Sequence, residues 1–191
     1  MERRRLNAAV LIVLVGVLAV PPVSAIATPL EDGMLEDGMM QARRWRFFTD
    51  GVMGGVSAGQ IVFLQDNDRP FARMSGRVST ANRGGFIQMR LDLDRPPPEG
   101  SIGVRLTVRG NNQRYFVHVR TTDTVRPWHY YQSGFDVTEA WAEVRLPFAA
   151  FVAAGGALPA LPASSGLTSV AVVAYGRDHD ALIDVGDVAF Y

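Results

Sequence analysis

Along most of this chain apolar side chains recur at every second position, and that spacing decides what it can fold into. Ile102, Val104, Leu106 and Val108 alternate with Gly103, Arg105, Thr107 and Arg109. Ile87, Met89 and Leu91 alternate with Gln88 and Arg90, and Tyr115, Val117 and Val119 with Phe116, His118 and Arg120. Ala142, Val144 and Leu146 do the same around Glu143 and Arg145. Period two marks strands with one buried face. Breakers interrupt it at intervals of roughly ten to fifteen residues: Asn67 to Pro70, Asn82 to Gly85, Pro96 to Gly100, Gly110 to Asn112, and Gly155-Gly156. Only Pro147 to Ala154 suits a short helical turn, with proline at its start. The pattern predicts an all-β sandwich or jelly roll of roughly eight to ten strands in two antiparallel sheets. Strands are expected at 60–65, 70–79, 86–93, 102–109, 114–121, 141–146, 167–175 and 181–190, with a surface loop over 153–166. Trp45, Tyr115, Trp141, Phe148 and Phe151 are expected in the core.

The N-terminal segment reads differently. Arg3-Arg4-Arg5 precedes a charge-free run from Ala8 to Val20, then Pro21-Pro22 and small-x-small sites ending at Ala25 and Ala27. This is the pattern of a secretory signal, and its pure apolar stretch is short for a membrane span. Residues 1–27 are therefore expected to be a signal peptide, 28–43 a flexible acidic leader and 44–191 the folded domain. The implied location is exported, in a bacterial periplasm, with no transmembrane span after cleavage; an N-terminal anchor is the competing reading. The leader holds a tandem pentapeptide, Leu30 to Met34 and Leu35 to Met39, which lacks the ligand spacing of a calcium loop.

Composition narrows the chemistry. Formal net charge is zero, which argues against a nucleic-acid partner, and all 19 basic residues are arginine. There is no cysteine, and only three histidines are present. Thiolate catalysis, disulfides and Cys-type zinc sites are thereby excluded, and no metal or cofactor is expected. No nucleophile elbow, metalloprotease motif or phosphate loop occurs, so no catalytic residue is assigned. Asp178-His179-Asp180 is expected to be a polar hairpin turn, and Asp92-Leu93-Asp94 an exposed strand end. The glycines of Gly51-Val52-Met53-Gly54-Gly55 and Gly84-Gly85 precede strand-like segments, so they suit backbone turns better than phosphate binding. Asp50 is expected to accept hydrogen bonds from the N–H groups just after it, as in an Asx turn.

Trp45 to Ser57, with its core Asp50-Gly51-Val52-Met53-Gly54-Gly55-Val56-Ser57, resembles the signature of the complex I intermediate-associated protein 30 family, the NADH:ubiquinone oxidoreductase assembly-factor domain. Gly76 to Ser79 and Asn82 to Phe86 with Arg90 resemble its second block, and Val108 to Gly110 with Arg114-Tyr115 its third. Tyr131 and Phe135, then Trp141, Val144, Leu146, Pro147, Phe148 and Phe151, resemble its fourth. The resemblance implies a galactose-binding-like jelly roll and a non-enzymatic role as an assembly factor or chaperone that binds protein. An exported carbohydrate- or small-ligand-binding protein is the other reading that the fold allows.

Two candidate sites follow from the alternation. Trp128-His129-Tyr130-Tyr131 could stack on sugar, or form a strand with aromatics packed alternately inside and out. If strands 86–93, 102–109 and 114–121 share one sheet, its non-core side gathers Arg90, Arg105, Arg109, His118 and Arg120 beside Phe116. Such a surface suits an acidic protein segment or acidic glycan, because guanidinium forks bind carboxylates and stack on rings. Neutralisation by Glu99, Glu139 and Glu143 is the alternative.

Overall fold

A computed structural model of the chain describes residues 45–67 and 69–191. The expected signal peptide, acidic leader and pentapeptide repeat lie outside the described residues. Eleven strands carry the fold: β1 (Trp45–Thr49), β2 (Ala58–Asp66), β3 (Arg69–Val78), β4 (Phe86–Asp92), β5 (Gly103–Gly110), β6 (Arg114–Thr121), β7 (Tyr130–Asp136), β8 (Ala142–Pro147), β9 (Val152–Ala154), β10 (Leu167–Tyr175) and β11 (His179–Phe190). Among the described residues, helix is confined to short 3-10 turns, one of them at Phe148–Ala150 just after Pro147.

The strands form a six-stranded sheet, β1-β4-β10-β6-β7-β9, and a five-stranded sheet, β2-β3-β11-β5-β8. Every pairing is antiparallel. Among the described residues, only β2–β3 and β6–β7 are hairpins between sequential strands; most other connections cross from one sheet to the other. That is a jelly-roll sandwich. Its core is the set of inward positions named by the alternation: Ile87, Met89 and Leu91 on β4, Val104, Leu106 and Val108 on β5, and Tyr115, Val117 and Val119 on β6 are all buried. Trp45, Phe148 and Phe151 join them.

Four expectations need correction. Eleven strands form where eight to ten were expected, the additions being β1, β7 and β9. Ile102 lies before β5 begins and is exposed. Trp141 is only half-buried: it precedes β8 on the outer side of the five-stranded sheet, edge-on to Phe71 at 5.6 Å and 4.7 Å beneath the Arg109 guanidinium. Asp178 to Asp180 is no hairpin, because β10 and β11 belong to different sheets and His179 already starts β11. Asp178 instead ties this corner to the end of β3, accepting hydrogen bonds from Thr80 N and Oγ1 at 2.7 Å.

Candidate binding site

The glycine-rich signature forms a latch. Asp50 opens the 3-10 turn just after β1 and is fully buried. Its Oδ1 accepts from Ser57 N at 2.9 Å, and its Oδ2 from Ser57 Oγ at 2.5 Å and Gly85 N at 2.5 Å, with Phe86 N at 3.3 Å. Ser57 Oγ also receives Ser79 N at 2.9 Å. One carboxylate thus joins the β1–β2 and β3–β4 connections. The Asx-turn expectation is corrected: the donors lie seven and some thirty-five residues on, while the local N–H of Gly51 goes to Thr49 Oγ1. A Cβ on Gly55 or Gly84 would collide with the Asp50 carboxylate, so both must be glycine. Burial alone would raise the Asp50 pKa, but the Ser57 hydroxyl and the three N–H donors outweigh it and hold it below the usual value. Gly51 and Gly54 complete the turn, while Val52 and Met53 project into solvent. Of the remaining signature residues, Phe148 is in the core and its N–H donates to Ile102 O at 2.8 Å. Pro147 pairs with Gly103 across the sheet.

The expected arginine face is divided by the fold. β4 and β6 lie in the six-stranded sheet and β5 in the five-stranded one, so Arg90, Phe116, His118 and Arg120 lie on one side of the sandwich and Arg105 and Arg109 on the other. Alternation within a strand gives its inward face but carries no information about which sheet it joins. On the five-stranded side Arg73, Arg105, Arg109 and Arg145 are paired with acids. Arg73 meets the nearly buried Asp184 through two bonds of 2.6 and 2.8 Å. Arg109 Nε reaches Asp184 at 2.8 Å and its Nη1 reaches Asp66 at 3.1 Å. Arg105 pairs with Asp187 and Glu143, and Glu143 with Arg145. Of the acids expected to neutralise the face, Glu143 does so here; Glu139 instead accepts from Asn112.

The outer face of the six-stranded sheet is different. Strand register aligns Arg46, Arg90, Ala171, His118 and Gln132 in one cross-strand row. Beside it run Phe48, Gln88, Val173, Phe116 and Gly134, and on the other flank Asp92, Ser169 and Arg120. The central strand, β10, contributes the buried Ser169, Ala171 and Val173 and, at its end, the partly exposed Tyr175. His118 stacks on Tyr130 at 4.1 Å and 11°, and meets the edge of Tyr175 at 5.9 Å. Phe116 meets Tyr175 edge-on at 5.9 Å. Tyr131 faces the core, so the inside–outside reading of this aromatic run is the right one for Tyr130 and Tyr131; Trp128 is exposed under Arg126.

Arg90 Nε is buried in this row without an aligned acceptor, and His118 and Gln132, cross-strand neighbours, interact through their side chains, which raises the His118 pKa against burial. Arg90 Nε lies 3.2 Å from Asp92 Oδ1 without hydrogen-bond alignment, and its guanidinium sits 4.8 Å over Phe48. Arg46 shares Asp92. Arg120 donates to the carbonyls of Thr124 and Arg126, and its pKa is lowered by burial and by the neighbouring Arg90. Burial drives the His118 pKa down to about 3, so its ring is neutral at pH 7. The Tyr130 phenol is pushed well above its ordinary value by burial and by its hydrogen bond with Tyr175. Sequence reasoning missed Tyr175, Gln132, Phe48 and Arg46 as parts of this face. Outward positions on β6 marked half of it; the other half needed the strand order. Among the described residues, no group of three or more His, Asp or Glu could hold a metal ion.

Fold and face together define a jelly-roll sandwich with one self-paired outer surface and one open aromatic–cationic surface, the class of the galactose-binding-like domains. The model of the complex I intermediate-associated protein 30 (CIA30) family matches residues 36–168, and the chain belongs to that family. Among curated proteins none matches the chain by sequence. In structure it is similar to the family 11 carbohydrate-binding module of the cellulosomal cellulase Lic26A-Cel5E of Clostridium thermocellum, with a TM-score of 0.64 and 10% identity over 82% of this chain and 92% of that one. It is also similar to a family 11 module from Clostridium thermocellum in complex with a β-1,3-1,4-mixed-linked tetrasaccharide, with a TM-score of 0.58 and 11% identity over 77% and 88% of the chains. A family 30 carbohydrate-binding module has a TM-score of 0.51 and 11% identity over 72% and 92%. At these identities the likeness establishes the jelly-roll fold.

Proposed function

We propose that this protein is a non-catalytic binding module of the CIA30 family and that its partner docks on the outer face of the six-stranded sheet. The observation that carries the reading is the Arg90 guanidinium on that face, which stacks over Phe48 with its buried Nε unaligned to any acceptor. The family name supports a protein partner among intermediates of complex I assembly. The signal-like N-terminus supports an exported protein, in which case the partner's exposed parts lie on the same side of the membrane. A glycan ligand is the second reading. It is favoured by the His118–Tyr130 stack and by the likeness to a family 11 module solved in complex with a tetrasaccharide.

The test is affinity capture from solubilised native membranes with wild type and with a Phe116→Asp, Arg90→Glu double variant, each with and without added glycans. Loss of an identified complex I subunit from the variant eluate supports the first reading. Release of captured material by glycan supports the second. Equal capture by both proteins removes this face from either.

A further inference from the structure

We infer that one end of the sandwich rests on a lipid bilayer, with Val125, Trp128 and Leu161 set into the interfacial layer. The inference goes beyond the binding-face reading and stands without it, because this end is built from loops and belongs to neither outer sheet face.

Strand register defines the end. Trp45 pairs with Leu91, Asp92 with Ser169, Leu167 with Thr121 and Tyr130 with Ala154. The start of β1, the β6–β7 loop and the connection from β9 to β10 therefore lie together. The β6–β7 loop leaves Val125 78% and Trp128 58% exposed, and the β9–β10 connection leaves Leu161 49% exposed. The backbone beneath them is fixed. Arg120 Nη2 donates to the carbonyls of Thr124 at 2.5 Å and Arg126 at 2.9 Å, and Thr124 Oγ1 donates to Thr121 O at 2.7 Å. Thr122 N donates to Gly166 O at 2.9 Å, which ties the two loops together. Apolar side chains are thus held out in water by a built scaffold, which marks an interaction surface.

Three observations choose a bilayer as the occupant. Trp128 has an apolar body and a polar N–H, the combination that settles at headgroup level, and the Arg126 guanidinium lies 5.6 Å over its ring. Asp123 and Arg126 are the charged residues exposed on this loop, one of each sign, so apolar burial drives the contact and neutral headgroups suffice. The chain also enters the fold here: Trp45 opens β1, and the sequence upstream holds Ala8 to Val20, the run marked for a membrane as signal or anchor. The opposite end exposes Val52, Met53 and Val56, but it has no tryptophan and lies the length of β1 away from the incoming chain. With the loop end down, both sheet faces stand upright on the membrane and remain open to partners beside it.

The experiment is tryptophan fluorescence of the full chain with phosphatidylcholine vesicles, with and without bromine on the acyl chains. Trp45 is buried, and Trp141 is half-buried beneath Arg109 on a sheet face, so Trp128 is the ring open to lipid. Brominated vesicles should quench the wild type and leave Trp128→Phe unquenched. A Val125→Ser, Leu161→Ser double variant should be quenched less than wild type, with thermal melting as the check that it folds. Absence of quenching in wild type overturns the inference, and so does quenching that survives Trp128→Phe, which would place another surface in the lipid. Quenching unaltered by the two serines overturns it as well, since the N-terminal segment alone would then hold Trp128 near the bilayer. Loss of a captured protein in Trp128→Ser, without vesicle quenching of the wild type, overturns it in favour of a protein partner at this end.

Discussion

On the five-stranded sheet Asp184 is almost wholly buried, yet Arg73 and Arg109 reach both its oxygens, and Arg109 passes on to Asp66. Across the core, the six-stranded sheet carries Arg90 with its Nε unaligned to any acceptor and His118 buried with the neutral Gln132 side chain beside it. Both faces are rich in arginine and aromatic rings; Arg109 even stacks over Trp141 as Arg90 stacks over Phe48. The difference is whether each polar group has its partner within the chain. A face that satisfies itself adds stability and offers little to a ligand, while one left incomplete gives up some stability and retains the capacity to bind.

Removal of one carboxylate should therefore hurt most on the closed face. Asp184→Ala leaves two guanidiniums without their shared partner and should cost about 2–3 kcal/mol, since both arginines retain some water. The melting temperature should fall by roughly 5–10 °C. Burial opposes ionisation of Asp184, but the bonds from Arg73 and Arg109 outweigh it, so its folded pKa lies below 3.8. The stabilisation is thus complete above pH 3.8 and disappears as pH falls through the folded value; urea unfolding of wild type and variant should converge only in that acid range. A variant as stable as wild type at pH 7 would erase the contrast.

The latch extends the comparison to a carboxylate with no arginine. Asp50→Asn keeps an acceptor but turns an amide toward crowded donors, and should cost about 2 kcal/mol in urea unfolding at pH 7. Gly55→Ala should lower stability as well, by forcing Cβ into that carboxylate.

On the open face the same kind of deletion should be nearly free. His118→Leu removes a buried neutral ring whose side-chain partner is the uncharged Gln132, and stability at pH 7 should change by less than about 1 kcal/mol in either direction. The folded His118 pKa is about 3 against an ordinary 6.5, so between those values the unfolded chain binds a proton that the native protein refuses. Wild type loses stability across that window as pH falls, and the variant does not, so the variant should gain relative to wild type on acidification. Differential scanning calorimetry at pH 7 and pH 5 reads this directly. A large loss at pH 7 would mean that His118 holds the sheet together. Smallest of all, Glu143→Gln touches an exposed pair and should leave the melting temperature unchanged within error.

Much of the fold was legible because the inward residues of β4, β5 and β6 are apolar but for Thr121 at the end of β6, and their outward neighbours are polar enough to show the period. β10 defied the pattern: Ser169, Ala171 and Val173 point outward, yet they are buried between neighbouring strands, so the strand reads as apolar on both sides. β7 was obscured by Ser133 and Gly134, which break the alternation at the centre of the strand. The latch was legible as a glycine-rich string but not as a carboxylate clamp, because its donors come from a segment some thirty-five residues away. Half of the open face was visible in Arg90, Phe116, His118 and Arg120. Arg105 and Arg109 were joined to it wrongly, since sheet membership is set by crossovers that leave no mark on side-chain period.

The sheet order also bears on how such a chain is made. β10 lies between β4 and β6, and β11 between β3 and β5, so the last two strands are the innermost partners of both sheets. A polypeptide emerging from the ribosome can form β2–β3 and β6–β7 early, but without Leu167 to Phe190 it holds four unconnected fragments, each with bare strand edges. Such a nascent chain must keep its partial sheets apart until Leu167 to Phe190 have emerged, and folding dominated by distant pairings is slow. A truncation just before Leu167 should therefore yield insoluble material in place of a smaller domain, and a holding chaperone should raise the yield of the intact protein more than it helps a helical protein of equal length.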